Sequence, residues 1–141
     1  TWLYQNTPVE TLPDTCVGFV YLITNNLSGR KYIGKKLAKF SKTTYKVVKQ
    51  KNGIKKRKKI HSKIDSDWQE YYGSSSELSA DIEKLGTNNF TREILFYCNS
   101  KSECSYIEAR EQFNRQVLES ADYYNGHIQV RVHEMEEHTS E

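Results

Sequence analysis

The chain alternates between strand-like and helix-like spacing of apolar residues. Gly18-Phe19-Val20-Tyr21-Leu22-Ile23-Thr24 is dominated by β-branched and aromatic residues and predicts a strand. Asn25-Asn26-Leu27-Ser28-Gly29 supplies turn chemistry, and Lys31-Tyr32-Ile33-Gly34 returns, so the two runs predict a β-hairpin. Leu78, Ile82 and Leu85 fall at helical spacing behind a Ser-to-Glu capping box within Ser74-Ser75-Ser76-Glu77. With Gly86 as a stop they predict a helix over about 75–85. Phe90 to Cys98 reads as a third strand. Ser100 and Glu103 form a second capping box and open a longer helix, about 101–119. Cys104, Ile107 and Leu118 form one stripe of that helix, and Tyr106, Phe113 and Val117 another.

The rest is less patterned. Residues 1–17, interrupted by Pro8 and Pro13, read as an irregular lead-in. Residues 36–64 are nearly devoid of core-forming positions. Within them Thr43 to Val48 alternates, Asn52-Gly53 is a hairpin-turn dipeptide, and Ile54 to Ile60 reads as a returning arm. This segment is a basic ribbon or loop outside the core. Trp68, Tyr71 and Tyr72 are expected to pack on the sheet. Ile128, Val130 and Val132 alternate briefly, and the acidic stretch from Glu134 to Glu141 reads as a frayed end. The order ββ–insert–α–β–α predicts an α/β (α+β) domain over 18–126. It has a small antiparallel three-stranded sheet flanked by helices, a basic hairpin-like insert after the second strand, and a tail over 127–141.

Composition narrows the class. A chain of 141 residues is one domain with a modest core. With 36% hydrophobic residues and a mean hydropathy of −0.80, no apolar run approaches the ~18 residues of a membrane span. Three cysteines, Cys16, Cys98 and Cys104, without CxxC spacing argue against a disulfide framework and a zinc site, and favour a reducing cytoplasm. The start, Thr1-Trp2-Leu3-Tyr4-Gln5, lacks signal-peptide character, and without an initiator Met the chain reads as processed or trimmed. Charge changes the picture most. The net +3 hides 15 basic and no acidic residues between Arg30 and Ile64, while the other six basic residues share the rest of the chain with all 18 acidic ones. Such a block repels itself and suits a phosphate backbone.

Gly18-Phe19-Val20-Tyr21, ten residues, then Tyr32-Ile33-Gly34 resembles the paired motif of the GIY-YIG nuclease superfamily. Gly73 to Leu78, Lys84 to Gly86, Phe90 to Leu95, Arg110-Glu111-Gln112-Phe113 and Tyr124-Asn125 are similar to that family's later blocks, in the same order. Among its members the chain most resembles the small phage-encoded homing endonucleases. The resemblance implies hydrolysis of phosphodiester bonds in duplex DNA with one Mg²⁺ or Mn²⁺, by a monomer or homodimer in the host-cell cytoplasm. A non-catalytic nucleic-acid-binding module on the same fold is the alternative. Tyr21 matches the base or water-positioning tyrosine, provided a neighbouring charge lowers its pKa. Tyr32 matches the second tyrosine, Gly34 allows close backbone approach, and Asn125 is a supporting hydrogen bonder. Glu111 matches the metal ligand. Helical periodicity also puts it between Cys104 and Leu118, where a carboxylate needs a partner or a metal, with Glu108 at the stripe's edge. The family's arginine after the second motif is not matched. Lys35 and Lys36 stand there instead, and Arg57 is the displaced candidate. Lys35, Lys39, Lys55, Lys56, Arg57, Lys58, Lys59 and His61 are the expected phosphate contacts. His133 and His138 read as surface groups.

Overall fold

A computed structural model describes residues 1–130 of the chain. Strands β1 (Trp2–Tyr4), β2 (Thr7–Val9), β3 (Gly18–Asn25), β4 (Lys31–Leu37) and β7 (Phe90–Cys98) form a five-stranded sheet of order β2-β1-β7-β3-β4. Strands β5 (Lys39–Lys49) and β6 (Lys55–Asp65) form a separate two-stranded ribbon. Helices α1 (Ser76–Leu85) and α2 (Lys101–Asn114) flank the sheet, and 3-10 turns lie at Trp68–Glu70 and Thr87–Asn89.

The mixed α/β class holds, but the sheet has five strands rather than three. Residues 1–17 account for the difference. Gln5 and Asn6, at φ 49° and 67°, make a two-residue hairpin turn between β1 and β2. β1 then pairs parallel with β7. That pairing buries Trp2, which is 1% exposed.

β3 reads as one continuous apolar run because both its faces are covered. On one face Phe19, Tyr21 and Ile23 join Trp2, Trp68, Leu78, Phe90 and Ile94. On the other Val20 and Leu22 join Ile33, Cys98, Cys104 and Val117 under α2. The register of β7 against β3 shifts between Val20 and Tyr21, where Leu95 is the extra residue. Such bulges re-aim neighbouring side chains.

Both helices begin on serine caps. The α1 cap is Ser75, whose side chain accepts from Leu78 N, so Glu77 is in the first turn and not the partner of a Ser74 box. At α2, Ser100 Oγ accepts from Glu103 N, and Glu103 Oε1 accepts from Asn99 N. α2 stops at Asn114 rather than near 119. Gln116 turns left-handed at φ 53°, with Gln116 N donating to Phe113 O and Val117 N to Gln112 O. These two bonds are a Schellman stop, and the residue after the turn, Val117, drops into the core. Both expected stripes are broken: Tyr106 and Phe113 of the second are exposed while its Val117 is buried past the stop, and Leu118 of the first is exposed beyond the helix.

Residues 124–130 have no regular structure, although Ile128 packs on the second core. Val132, His133, His138 and the acidic end lie outside the described residues. Among the described residues no helix is long and apolar enough to cross a membrane.

Candidate active site

The edge of β4 organises the site. Lys31 N donates to Asp122 O and Tyr124 N to Lys31 O, which brings residues 122–125 alongside the strand. Asn125 then pairs with the strand as a backbone would. Its Oδ1 accepts from Ile33 N at 3.0 Å and its Nδ2 donates to Ile33 O at 2.8 Å. Gln112 Nε2 reaches the same carbonyl at 3.2 Å. Asn125 thus fixes the strand between Tyr32 and Gly34.

A cleft of about 490 Å³ opens beside this edge, lined by Tyr32, Lys35, Ser74, Glu108, Gln112 and His127 among others. The N-terminus of α1, Ser75 to Glu77, forms part of its wall. Helix N-termini present free N–H groups and partial positive charge, which suits a phosphate.

The two tyrosines stand one behind the other, ring centroids 6.1 Å apart. Tyr32 is half-buried and shares a 3.0 Å hydrogen bond with Ser74 Oγ. Tyr21 is 0% exposed, and its ring meets that of Tyr71 edge-on at 5.9 Å. Burial, the neighbouring Tyr71 and Tyr32 phenols and the Glu108 charge push its hydroxyl well above the usual tyrosine range. Burial also raises Tyr32, with the Ser74 bond opposing. The charge expected to lower Tyr21 is therefore not there. Tyr21 is held as a neutral phenol.

Gly34 has a steric reason. It lies opposite Tyr21 in the ladder, and a Cβ there would overlap the Tyr21 hydroxyl and come within 2.9 Å of Tyr32 Cε2. Gly34→Ala is therefore expected to cost about 1–3 kcal/mol in urea unfolding, typical of overpacking. It should displace one of the two tyrosines as well, and an unchanged denaturation midpoint would show that the contact yields freely.

Of the three carboxylates of α2, Glu108 and Glu111 have different surroundings. Glu111 is where the periodicity puts it, with its side chain only 15% exposed, but its partners are Arg115 at 3.3 Å and Arg110 at 3.7 Å. The stripe's far end, Leu118, is off the helix and 51% exposed. Glu108, one turn earlier, faces the cleft. Burial raises its carboxyl, opposed by the Lys35 side chain and main-chain N–H and by His127. Beside it, Gln112 Oε1 is buried with no hydrogen-bond partner among the described residues. Among the described residues no three His, Cys, Asp or Glu side chains converge into a metal cage. A divalent cation here would rest on one carboxylate, the orphaned amide oxygen, and oxygens from water or substrate. Mg²⁺ tolerates such a set.

The cations separate as well. Lys35 lines the cleft and donates to Ser105 Oγ at 2.6 Å. Lys36 points to the opposite face, bound to Asp67 at 2.6 Å and lying 4.2 Å over the Tyr71 ring. Its ammonium holds the Asp67 carboxyl below the usual range. Arg57 is not brought to the tyrosines. It pairs with Val47 far out on the ribbon, eight residues beyond the Lys39–Asp65 root, or ~26 Å at strand rise. Lys39, Lys55, Lys56, Lys58, Lys59 and His61 share that ribbon, apart from the cleft.

Periodicity alone set Glu108 aside, and nothing in the pattern singled out Ser74, Gln112 or His127. Gln112, an amide on an inward helix face, was the available signal.

The chain matches the family model described as "Putative endonuclease segE, GIY-YIG domain" over residues 2–128. It is 31% identical over 107 residues to a protein of Enterobacteria phage T4 bearing the same segE description, a match covering 76% of this chain. The matched region is 39% of that relative's length. No solved structure matches the chain.

Proposed function

Since the chain belongs to the GIY-YIG segE family, we propose that it is a divalent-metal-dependent endonuclease that hydrolyses phosphodiester bonds of duplex DNA. A homing-type role is part of this reading and rests on the likeness to the phage protein. The observation that carries the mechanism is the cleft, where Tyr32, Lys35, Glu108 and the unpartnered Gln112 Oε1 face the N-terminus of α1.

In this reading the α1 terminus and the Lys35 ammonium attract and orient the scissile phosphate. The Tyr32 hydroxyl, hydrogen-bonded to the Ser74 hydroxyl, positions the attacking water. Tyr21 and Tyr71 hold the Tyr32 ring from behind. Glu108 and Gln112 Oε1 would hold Mg²⁺ or Mn²⁺. Such an ion neutralises charge on the phosphoryl oxygens and acidifies bound water. Glu111, the ligand implied by the family motif, is neutralised by two arginines and supports the helix. Lys36, paired with Asp67, orders Tyr71.

Supercoiled-plasmid cleavage with Mg²⁺ or EDTA tests the activity. A non-catalytic binding module would cut under neither condition. Tyr32→Phe is expected to lower turnover about 100-fold. Its pH profile should not move between about pH 6 and 9, because a raised phenol stays protonated there. A rate that climbs through neutrality in wild type and is flat in Tyr32→Phe would assign the base to this tyrosine.

A further inference from the structure

The ribbon β5–β6 has no packing reason to exist. Isolated two-stranded hairpins are marginal in water. Here the register runs unbroken from Lys39–Asp65 to Lys49–Lys55, and it sets Lys46 opposite Lys58 and Lys49 opposite Lys55. Like charges directly opposite are destabilising. Residues 39–65 hold 11 Lys and Arg against one acid, Asp65, at the root. Such an element is completed by a polyanion.

We propose that this ribbon is an arm that lies in the major groove of duplex DNA, with its Arg57 face turned to the base edges, and so determines where the cleft cuts. The proposal rests on reading the cleft as a DNA-cleaving site.

The register divides the ribbon into two faces. One carries Thr43 with His61, Tyr45 with Lys59 and Val47 with Arg57. The other carries Phe40 with Ile64, Thr44 with Ile60 and Val48 with Lys56. The second also carries Lys42 with Ser62 and Lys46 with Lys58, which suit phosphates, whereas the ribbon's one arginine and one histidine are on the first. The Arg57 guanidinium lies 4.4 Å over the Tyr45 ring, a cation–π contact that restricts the arginine on this face. Arginine makes the bidentate contact to guanine O6 and N7.

Size selects the groove. A two-stranded ribbon fits the ~12 Å major groove of B-DNA as it stands, whereas entering the ~6 Å minor groove would require the duplex to be bent and opened. The major groove of A-form RNA is too narrow to be read. Eleven residues per strand span ~36 Å, about one turn of B-DNA. The root is clamped to the sheet: Ala38 N donates to Val17 O, Ser66 N to Ala38 O, and Ser66 Oγ to Leu37 O. The arm leaves β4 just past Lys35, so bases it reads lie at a fixed offset, within about one turn, from the bond that is cut.

The test uses three proteins: wild type, a Tyr45→Ala/Arg57→Ala double variant, and a shortened form in which Asn-Gly replaces residues 44–60. Thr43 and His61 face each other, so they accept a two-residue turn. Both variants leave the two cores untouched, and near-UV circular dichroism verifies this. Binding to duplex DNA is measured by anisotropy in EDTA, without cleavage. At ~0.1 M salt the shortened form should bind at least ~100-fold more weakly and with a smaller salt slope. The double variant should lose about tenfold and lose preference at one guanine. Guanine N7 methylation should block wild-type binding and a minor-groove ligand should not. Equal affinity of wild type and shortened form, interference from the minor groove alone, no duplex binding by wild type, or tighter binding to duplex RNA would each overturn the arm. Cleavage with Mg²⁺ is read separately. Groove-specific binding without cutting rejects the nuclease reading and leaves the arm. Cutting at unchanged sites by the shortened form rejects the arm alone.

Discussion

Glu108→Gln is expected to lower cleavage at least about 100-fold while making the folded protein more stable at neutral pH. The first half follows from the Glu108 carboxylate facing the cleft beside Tyr32 and Gln112, whereas Glu77 on the α1 wall is paired with Arg30. A bound divalent ion supplies several kcal/mol of charge stabilisation, and each 1.36 kcal/mol is a factor of ten in rate. The second half follows from the direction of its pKa. Burial raises the Glu108 carboxyl above its unfolded value. A raised acid favours folding while it is protonated, and that advantage disappears as pH rises through the folded-state value. Near pH 7 the wild type therefore carries a desolvated carboxylate that the amide variant lacks. Thermal unfolding at about pH 7 should give a higher Tm for Glu108→Gln, with the difference shrinking below the ordinary Glu range near 4. Mg²⁺ should raise the Tm of wild type and not that of the variant. Glu111→Gln should behave oppositely, losing Tm because Arg115 and Arg110 lose their shared anion, with less effect on cleavage. If Glu111→Gln stopped cleavage at unchanged Tm while Glu108→Gln cut normally, the metal would belong to Glu111.

The second large effect is on folding. Trp2→Ala is expected to cost about 3–5 kcal/mol in chemical unfolding, the range for a buried tryptophan. Trp2 is the second residue of the chain, yet it is 1% exposed. Its ring meets Phe19 at 5.1 Å and Tyr21 at 5.4 Å, both edge-on, and its Nε1 donates to Trp68 O at 2.7 Å. The Arg92 guanidinium lies 4.7 Å over it. Against a typical total stability of ~5–15 kcal/mol, that loss leaves little margin. Tyr21 packs directly on Trp2, so cleavage should fall in parallel. A Trp2→Ala protein that unfolds at the wild-type denaturant midpoint would mean that β1 contributes nothing.

The elements legible in the sequence are those whose signals are local. The β3–β4 hairpin, α1 and β7 carry their own periodicity, turns and caps, and the ribbon declares itself through Asn52-Gly53. β1 did not, because its reason for being a strand is a parallel pairing with Arg92 to Ile94, far along the chain. The end of α2 was hidden because Gln116 occupies the left-handed position where glycine is the usual sign. At the site, periodicity correctly turned Glu111 inward. A helical projection cannot show that Arg110 and Arg115 reach that carboxylate, or that the open edge of β4 falls beside Glu108. For Arg57 to serve as the displaced arginine, the ribbon would have to fold back over the cleft. An unbroken register with no bulge carries it outward instead.

The pairing of the Asn125 amide with Ile33 has a consequence for assembly. A sheet edge with free N–H and C=O groups is where a second copy can join by continuing the sheet. At β4 those groups are already taken at Ile33 by Asn125 and at Lys31 by Asp122 and Tyr124. The opposite edge, β2, is three residues long and carries Pro8, which has no N–H to offer. Among the described residues, the first half of β4 and the short β2 therefore offer few groups through which a second copy could continue the five-stranded sheet. If the chain cuts both strands of a duplex, as the proposed function allows, pairing through this sheet's edges is then a poor route to the second cut, and copies docked through other faces, or one copy acting twice, are the routes left.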